Sequence, residues 1–455
     1  MKEVRNKHIV VIGAARSGLA VASLLKRKGA RVFITDHSSI DNTVKSELNK
    51  RNIPFEENGH THEARGADFL VLSPGVPTQT PIVQEYLNSG KDVFSEIEIA
   101  SWFNKSPIVA VTGSNGKTTV TNWLDHTWNK AGRDHITAGN IGYAFSDKVE
   151  QTNKNSEILL EVSSFQLDHI ETFHPHISLL LNITPDHLDR YEENFSKYAA
   201  SKFRITENQT ARDWFIYNYD DPTIIRHVES LKKKADGPQL LAFSNRRKPD
   251  ETAGAFVRDQ NIILKFNQEE EVLMPISEVN LSGKHNLNNG LATALAARAS
   301  EIKNDIIRES LRTFEGVDHR LEHVRTIDGV KYYNDSKATN INAVWYALDS
   351  FNMPITLILG GRDKGNDYSE LVDQVRKKVH TIVAIGEAKP MIEEQLKFIV
   401  PNYETAETMN EAVRKCKKVA KPGEIVLLSP ACASFDMYEN YEHRGNEFKK
   451  AVNRL

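Results

Sequence analysis

The chain is predicted to be an α/β protein of three domains, and three observations predict it. Short apolar runs recur along its length, each followed by a polar or glycine-bearing turn and a stretch of helical periodicity. Two such turns, residues 13–18 and 113–116, stand directly between a strand and a helix. The 455 residues also suit roughly three domains of ordinary size. The architecture expected is a Rossmann-like N-terminal domain over residues 1–95, a central P-loop ATPase-like domain over 96–315, and a Rossmann-like C-terminal domain over 316–455.

In the first domain His8-Ile9-Val10-Val11-Ile12 reads as a strand, 13–18 as a turn, 19–28 as a helix, and 31–35 as a second strand ending at Asp36. Residues 68–73 form a third strand, and Ser73-Pro74-Gly75-Val76-Pro77 breaks the chain sharply. In such a doubly wound sheet a ligand belongs at the carboxyl ends of the strands. Gly13-Ala14-Ala15-Arg16-Ser17-Gly18 followed by Asp36 invites a dinucleotide reading. Ala15, however, stands where a glycine would let the backbone approach a pyrophosphate. A nicotinamide dinucleotide, a purely structural turn and another nucleotide such as a uridine diphosphate remain open, and the altered loop favours the last.

In the second domain Ile108-Val109-Ala110-Val111 is a buried strand that runs through Thr112 into Gly113-Ser114-Asn115-Gly116, and Lys117-Thr118-Thr119 opens a helix. Backbone N–H groups and a helix N-terminus then point at one spot, which suits the phosphates of ATP. Lys117 would add a point charge, and the Thr118 hydroxyl would reach Mg2+. The spacing departs from the general phosphate loop, because only Ser114 and Asn115 separate the glycines. Ile158-Leu159-Leu160 is a strand that ends at Glu161, either a Mg2+ ligand or a helix-capping acid. A further strand, 177–181, leads into Asn182-Ile183-Thr184-Pro185-Asp186-His187, and His187 in that polar cluster suits a metal or phosphate role. Lys202 reads by spacing alone as a solvated helix lysine. Residues 255–266 suggest a hairpin around Asp259-Gln260, and 291–299 an alanine-rich helix.

The third domain carries strands near 330–333, 355–359, 381–385 and 425–428. Polar loops follow three of them: Asn334 to Asn340, Gly360 to Lys364, and Ser429 to Asp436. Asp335 and Lys337 suit a ribose and a phosphate, and several polar loops after successive strands argue for one shared site. Gly283-Lys284-His285-Asn286-Leu287-Asn288-Asn289, ahead of a helix, offers amides and a histidine to a purine.

Composition excludes several classes. A net charge of −3 gives no electrostatic footprint for nucleic acid or an anionic membrane. Two cysteines, Cys416 and Cys432, make no disulfide framework and no metal motif. No apolar run approaches the ~18 residues of a membrane helix, and the N-terminus has no apolar signal core, so a cytoplasmic protein is expected.

Taken in order, the 112–119 loop, Glu161 to Gln166, Asp186-His187-Leu188-Asp189-Arg190, His285-Asn286, His319-Arg320 and 334–339 resemble the Mur ligase family over nearly the whole chain. Leu427 to Asp436 and Ser73-Pro74-Gly75-Val76 resemble its D-glutamate-adding branch in particular. Ala14-Ala15-Arg16 departs from a more glycine-rich turn, and Tyr441 from an aromatic of another kind. The resemblance implies ATP-driven addition of D-glutamate to UDP-N-acetylmuramoyl-L-alanine through an acyl phosphate, in cytoplasmic peptidoglycan precursor synthesis, by a monomer with small-molecule substrates.

Site residues follow from the same resemblance. Gly113, Ser114, Asn115, Gly116, Lys117, Thr118, Thr119, Asn286, Asn289, Arg320 and Asp335 would hold ATP, with Lys337 serving the transferred phosphoryl. Thr118, Glu161, His187 and Lys202 would hold two Mg2+ ions, Lys202 after carbamylation by CO2. Ser17, Asp36, His37 and Ser73 would meet the uridine diphosphate, Asn140 and His187 the muramyl substrate, and Thr339, Lys364, Ser434 and Phe435 D-glutamate. Ligands divided in this way imply domain closure. The competing readings are a sister ligase or folate polyglutamylating enzyme on the same scaffold, a nicotinamide-dependent oxidoreductase, and a nucleotide binder without catalysis.

Overall fold

The structure is a computed structural model and describes residues 3–266, 268–281, 283–363 and 365–455. Its strands form three sheets. The first contains β1 (His8–Ile12), β2 (Arg31–Thr35), β3 (Phe55–Glu56), β4 (Phe69–Leu72) and β5 (Val93–Ser95) in the order β3-β2-β1-β4-β5. Every neighbouring pair is parallel, with Ile9 between Val32 and Phe69. The strand order reverses between β1 and β4, which puts the crevice for a ligand beside Gly13 and Ser73.

The second sheet contains β6 (Ile108–Thr112), β7 (His135–Gly139), β8 (Glu157–Glu161), β9 (Ile177–Leu180), β10 (Trp214–Asn218), β11 (Gln239–Ser244), β12 (Ala253–Arg258), β13 (Asn261–Phe266) and β14 (Glu269–Pro275). Its order is β14-β13-β12-β11-β10-β9-β6-β8-β7. Strand β6 is central and buried at every position, which is why it reads as an unbroken apolar run. The expected hairpin is β12–β13, with Asp259 and Gln260 both at positive φ in the turn. Strand β14 extends it antiparallel. That strand opens with three exposed glutamates, Glu269 to Glu271, so composition hides it.

The third sheet contains β15 (Glu322–Ile327), β16 (Val330–Asn334), β17 (Ile355–Gly360), β18 (Val379–Ile385), β19 (Asn402–Ala406) and β20 (Ile425–Leu428), ordered β15-β16-β20-β17-β18-β19. Only the β15–β16 pair is antiparallel. Strand β20 lies between β16 and β17, so the loops after these three strands emerge side by side.

The chain folds as two compact units. Met1–Val279 and Asn288–Thr313 form the first, which holds the first two sheets, and Asn280–Leu287 with Phe314–Leu455 form the second. Each sheet has an apolar cluster on either face, such as Val11, Leu25 and Phe94 on one side of the first sheet and Val10, Leu70 and Tyr86 on the other. The alanine-rich helix runs over Lys284–Ala299, seven residues before the stretch expected. Among the described residues no helix is long and apolar enough to cross a membrane.

Candidate active site

The loop after β6 is the centre of the first unit's polar chemistry. Gly113 and Gly116 sit at φ +153° and +91°. A Cβ on Gly116 would lie 2.6 Å from Asn289 Oδ1, so glycine is required on both conformational and steric grounds. The loop is fastened from β9's far end. Ser114 N donates to Asn182 O (2.9 Å), Asn115 N to Asn182 Oδ1 (2.8 Å), and Asn182 Nδ2 to Asn115 O (2.9 Å). Ser114 Oγ donates to Thr184 O (2.9 Å) and lies 2.8 Å from the Tyr198 hydroxyl. The helix Lys117–Lys130 starts at Gly116 with no side-chain cap, which leaves its N-terminal dipole for an anion. Thr118 is buried just inside that terminus, and Thr119 Oγ1, also buried, has no hydrogen-bond partner among the described residues.

Two ammonium groups meet on one carbonyl of this loop. Lys117 Nζ donates to Gly113 O (2.8 Å) and Ser114 O (2.9 Å), and Lys202 Nζ donates to Gly113 O (3.0 Å). Lys202 is therefore not a solvated helix lysine: its side chain is 2% exposed and lies over the Tyr198 ring at 4.7 Å. Helical spacing places it, but only the packing of the helix Phe195–Phe203 onto the β6 loop turns it inward. Burial first, and the Lys117 charge second, push its pKa well below the usual lysine range, against the opposing pull of Asp186, Asp168 and Glu161.

Glu161 ends β8, next to β6, and is 1% exposed. Its Oε1 accepts from Asn140 Nδ2 (3.0 Å), while its buried Oε2 has no hydrogen-bond partner among the described residues. It caps no helix; Ser163 and Gln166 make the capping box of the short helix that follows. A buried carboxylate oxygen that accepts no hydrogen bond from the described residues is a hard oxygen ligand at hand, and the residues present fit a Mg2+ ion there. Asn140 is held by the same glutamate, its N donating to Glu161 O (2.9 Å). His187 stands at φ +52°, half exposed, with its ring edge-on to Phe165 at 5.1 Å. The structure thus gathers Lys117, Thr118, Asn140, Glu161, Lys202 and Asn289 at adjoining strand ends, with Asp186-His187 on the loop after β9. Among the described residues no cluster of three His, Cys, Asp or Glu is preformed for a metal.

At the first sheet's crevice the predicted residues mostly hold the turn. Asp36 Oδ2 accepts from Ala14 N (2.8 Å), and Ser73 Oγ donates to Gly13 O (2.8 Å). Ser17 lies in the first turn of the helix Arg16–Arg27, which also starts without a side-chain cap, and His37 is exposed beside Ser38. Arg16 reaches from this turn to donate to Gly142 O, in the loop that carries Asn140.

In the second unit the loops after β16 and β20 converge. Asp335 is buried, with Oδ1 accepting from Leu321 N (3.2 Å) and Oδ2 from Ser429 Oγ (2.8 Å). Burial raises its pKa to about 6, against the pull of Arg320. Arg320 Nε is buried with no hydrogen-bond partner among the described residues. Lys337 Nζ lies over the Tyr441 ring at 5.2 Å, and Thr339 is half buried. Ser434 is buried, its neighbour Phe435 is 61% exposed, and Lys364 lies outside the described residues. Asn286 is buried, whereas His285 turns to Ser350 Oγ (3.3 Å); loss of solvent and the Arg320 charge push its pKa down to about 4.

The contacts of three residues gave no sign in the sequence. Arg444, 1% exposed, donates through Nε to Ser336 Oγ (3.0 Å), through Nη2 to Ser336 O (2.8 Å) and through Nη1 to Cys432 O (3.0 Å), joining the two loops. On the sequence it is one charge in a polar helix. Glu96 is equally unmarked, and Arg190 was legible only as the last residue of the Asp186-to-Arg190 run, because the partners of both come from distant elements.

Comparison with known proteins agrees along the whole chain. Family models match at residues 8–82 (MurD N-terminal domain), 111–297 (Mur ligase middle domain) and 319–432 (Mur ligase, glutamate ligase domain). The UDP-N-acetylmuramoylalanine–D-glutamate ligase of Salinibacter ruber is 51% identical, covering 100% of this chain and 99% of its own. The corresponding ligases of Chloroherpeton thalassium and Bacteroides fragilis are 44% and 42% identical, over 100% and 99% of this chain and 99% and 100% of their own. Among solved structures, a pseudomurein peptide ligase type C from Methanothermus fervidus has a TM-score of 0.61 at 18% identity, covering 99% of this chain and 100% of its own. A MurF ligase from Thermotoga maritima in complex with ADP has a TM-score of 0.60 at 16% identity, covering 99% and 96%. At such identities these two speak for the three-domain fold alone. The full-length identity and the three family models together place the chain in the Mur ligase family, with the UDP-N-acetylmuramoylalanine–D-glutamate ligases.

Proposed function

We propose that the protein is the ATP- and Mg2+-dependent ligase that joins D-glutamate to UDP-N-acetylmuramoyl-L-alanine in cytoplasmic peptidoglycan precursor synthesis, acting as a monomer. One observation carries the reading: Lys117, Lys202 and the partnerless oxygen of Glu161 converge at the β6–β8 strand ends of a chain whose full-length relatives are ligases of this name. Residues 1–95 are assigned to the uridine-diphosphate precursor, 96–315 to ATP and 316–455 to D-glutamate.

The L-alanine carboxylate attacks the γ-phosphorus of ATP, ADP leaves, and an acyl phosphate results. The D-glutamate amine then attacks the acyl carbon, and inorganic phosphate departs as the amide forms. Phosphorylation is needed because a free carboxylate is a poor electrophile at neutral pH. The protein's share is positioning and charge neutralisation. The N-terminus of the helix Lys117–Lys130, which has no side-chain cap, and the Lys117 ammonium take the phosphates. Thr118 and Glu161 would hold one Mg2+, and His187 with a carbamylated Lys202 a second; bound there, Mg2+ neutralises charge on the transferring phosphoryl. The lowered Lys202 pKa favours the neutral amine, the form to which CO2 adds, and so supports carbamylation.

Asn140 orients the muramyl substrate from its bond to Glu161, and Asp36 and Ser73 shape the turn for the uridine diphosphate, with Ser17 and His37 at its rim. Asn286, Asn289, Arg320 and Asp335 serve the nucleotide, and Lys337 the transferred phosphoryl. Thr339, Lys364, Ser434 and Phe435 receive D-glutamate.

The test is phosphate release from ATP with Mg2+ and the precursor, with D-glutamate present, absent or replaced by L-glutamate. Release is expected only with both precursor and D-glutamate. Release with another amino acid instead would move the protein to a sister ligase, and none at all from folded protein would leave a nucleotide binder.

A further inference from the structure

Arg190 ties the precursor crevice to the metal-bearing loop. It lies in the 3-10 turn Leu188–Tyr191, directly after Asp186-His187, and its backbone N donates to His187 O (3.0 Å). Its guanidinium leaves that turn for the first sheet. Nη1 donates to Gly75 O (3.2 Å), and Nη2 to Val76 O (2.9 Å) and Pro74 O (3.4 Å). Three consecutive carbonyls of the loop after β4 thus converge on one cation, and among the described residues no carboxylate pairs with it. Gln79 Nε2 answers from the same loop by donating to Arg190 O (3.1 Å).

The carbonyl end of this strap is the crevice itself. Ser73, one residue before Pro74, holds Gly13 O, and a Cβ on Gly13 would touch Ser73 Cβ at 2.9 Å and Val76 Cγ2 at 3.0 Å. Any ligand that presses on the Gly13 turn presses on the 73–76 loop. The other end reaches, through the Phe165 ring, the two residues proposed for the second Mg2+, His187 and Lys202. Arg190 lies over that ring at 4.2 Å, His187 meets it edge-on at 5.1 Å, and Tyr191 stacks on it at 6.0 Å. The Tyr191 hydroxyl donates to Asp168 Oδ2 (2.9 Å) and lies 3.3 Å from Ser201 Oγ, next to Lys202. His187 itself stands at positive φ, a conformation that its surroundings must hold.

We infer that Arg190 is a positioning residue: filling the uridine-diphosphate crevice sets the 73–76 loop, and through the Arg190–Phe165 contact that loop sets His187 and the Lys202 helix for phosphoryl transfer. The inference deepens the proposed function and rests on it. Its physical content is a coupling free energy, so the precursor and the nucleotide should each tighten the other's binding. A lysine could not replace the arginine fully, because one ammonium cannot serve the spread carbonyls and lie flat on Phe165 together.

The experiment measures binding of a non-hydrolysable ATP analogue with Mg2+ by calorimetry, with and without precursor, in wild type, Arg190→Gln and Arg190→Lys, alongside kcat, KM for each substrate and thermal midpoint. Coupling of at least about fivefold is expected in wild type, near one in R190Q and intermediate in R190K. In R190Q kcat should fall about tenfold or more while analogue binding without precursor and the thermal midpoint stay unchanged. Wild-type coupling or kcat in R190Q overturns the inference, as does a lowered midpoint with coupling retained, the mark of a merely structural arginine. No precursor- and D-glutamate-dependent phosphate release by the wild type would overturn the functional reading, and the inference with it.

Discussion

Lys202 illustrates how far one side chain's chemistry depends on its neighbours. An ammonium at 2% exposure, sharing the Gly113 carbonyl with Lys117, is disfavoured by desolvation and by like charge. The depressed pKa favours the neutral amine, and addition of CO2 would convert a buried cation into an anion. Lys202→Ala is expected to lower kcat by about a hundredfold or more, the scale of losing a preorganised electrostatic group. Wild-type activity is expected to fall in CO2-depleted buffer and recover on adding bicarbonate, with intact mass reporting one added CO2. Lys117→Ala is expected to abolish phosphate release and leave the circular dichroism spectrum unchanged. Gly116→Ala should cost about 1–2 kcal/mol for the left-handed backbone alone, more as its Cβ meets Asn289, read as a lower denaturation midpoint.

Among the elements, the short helix Glu96–Ser101 between the first two sheets carries a pH-dependent contact. Glu96 is 1% exposed; Oε1 accepts from Ser146 N (2.6 Å), and Oε2 has no hydrogen-bond partner among the described residues. Burial raises its pKa from 4.5 to about 7. The folded state therefore holds this proton more tightly than the unfolded chain does. Between pH 4.5 and about 7 the native protein binds more protons, so stability falls as pH rises through that window, by on the order of 3 kcal/mol if fully expressed. Glu96→Gln keeps an oxygen for Ser146 N and cannot ionise. Urea unfolding at pH 5 and pH 8 should show the variant gaining on wild type at the higher pH only. The neighbouring Glu98 carboxylate accepts from the backbone N–H groups of Glu171, Thr172 and Phe173 at 2.8–3.1 Å.

Across the whole molecule, the two compact units each hold residues assigned to the proposed reaction. Asp335→Asn in the second unit should reduce turnover although every residue around the β6 loop is intact. The same variant is expected to be more stable than wild type above pH 6, because the buried carboxyl, raised from 3.8 to about 6, must otherwise ionise there. Thermal midpoints at pH 5 and 7.5, read beside the rate of phosphate release, would show this opposition of stability and activity.

The fold class, the buried strand β6, the glycine-bearing loop after it and the β12–β13 hairpin were legible because each is local: an apolar run of fixed period and the turn that ends it lie within a dozen residues. Glu161 was legible for the same reason, standing at the end of such a run. Strand β14 was not, since its exposed glutamates are tolerated on a surface strand. The inward turn of Lys202, the Arg190 strap, the Arg444 bridge and the buried Glu96 were decided only by tertiary structure. Each draws its partners from a distant element, Arg444 and Ser336 being 108 residues apart. Sequence by itself determined where the glycine-bearing turns between strand and helix fall, because glycine placement and strand–helix order are short-range. Packing decided which charges lose their water, and with it which of them have altered chemistry, because desolvation is a property of everything that surrounds a group.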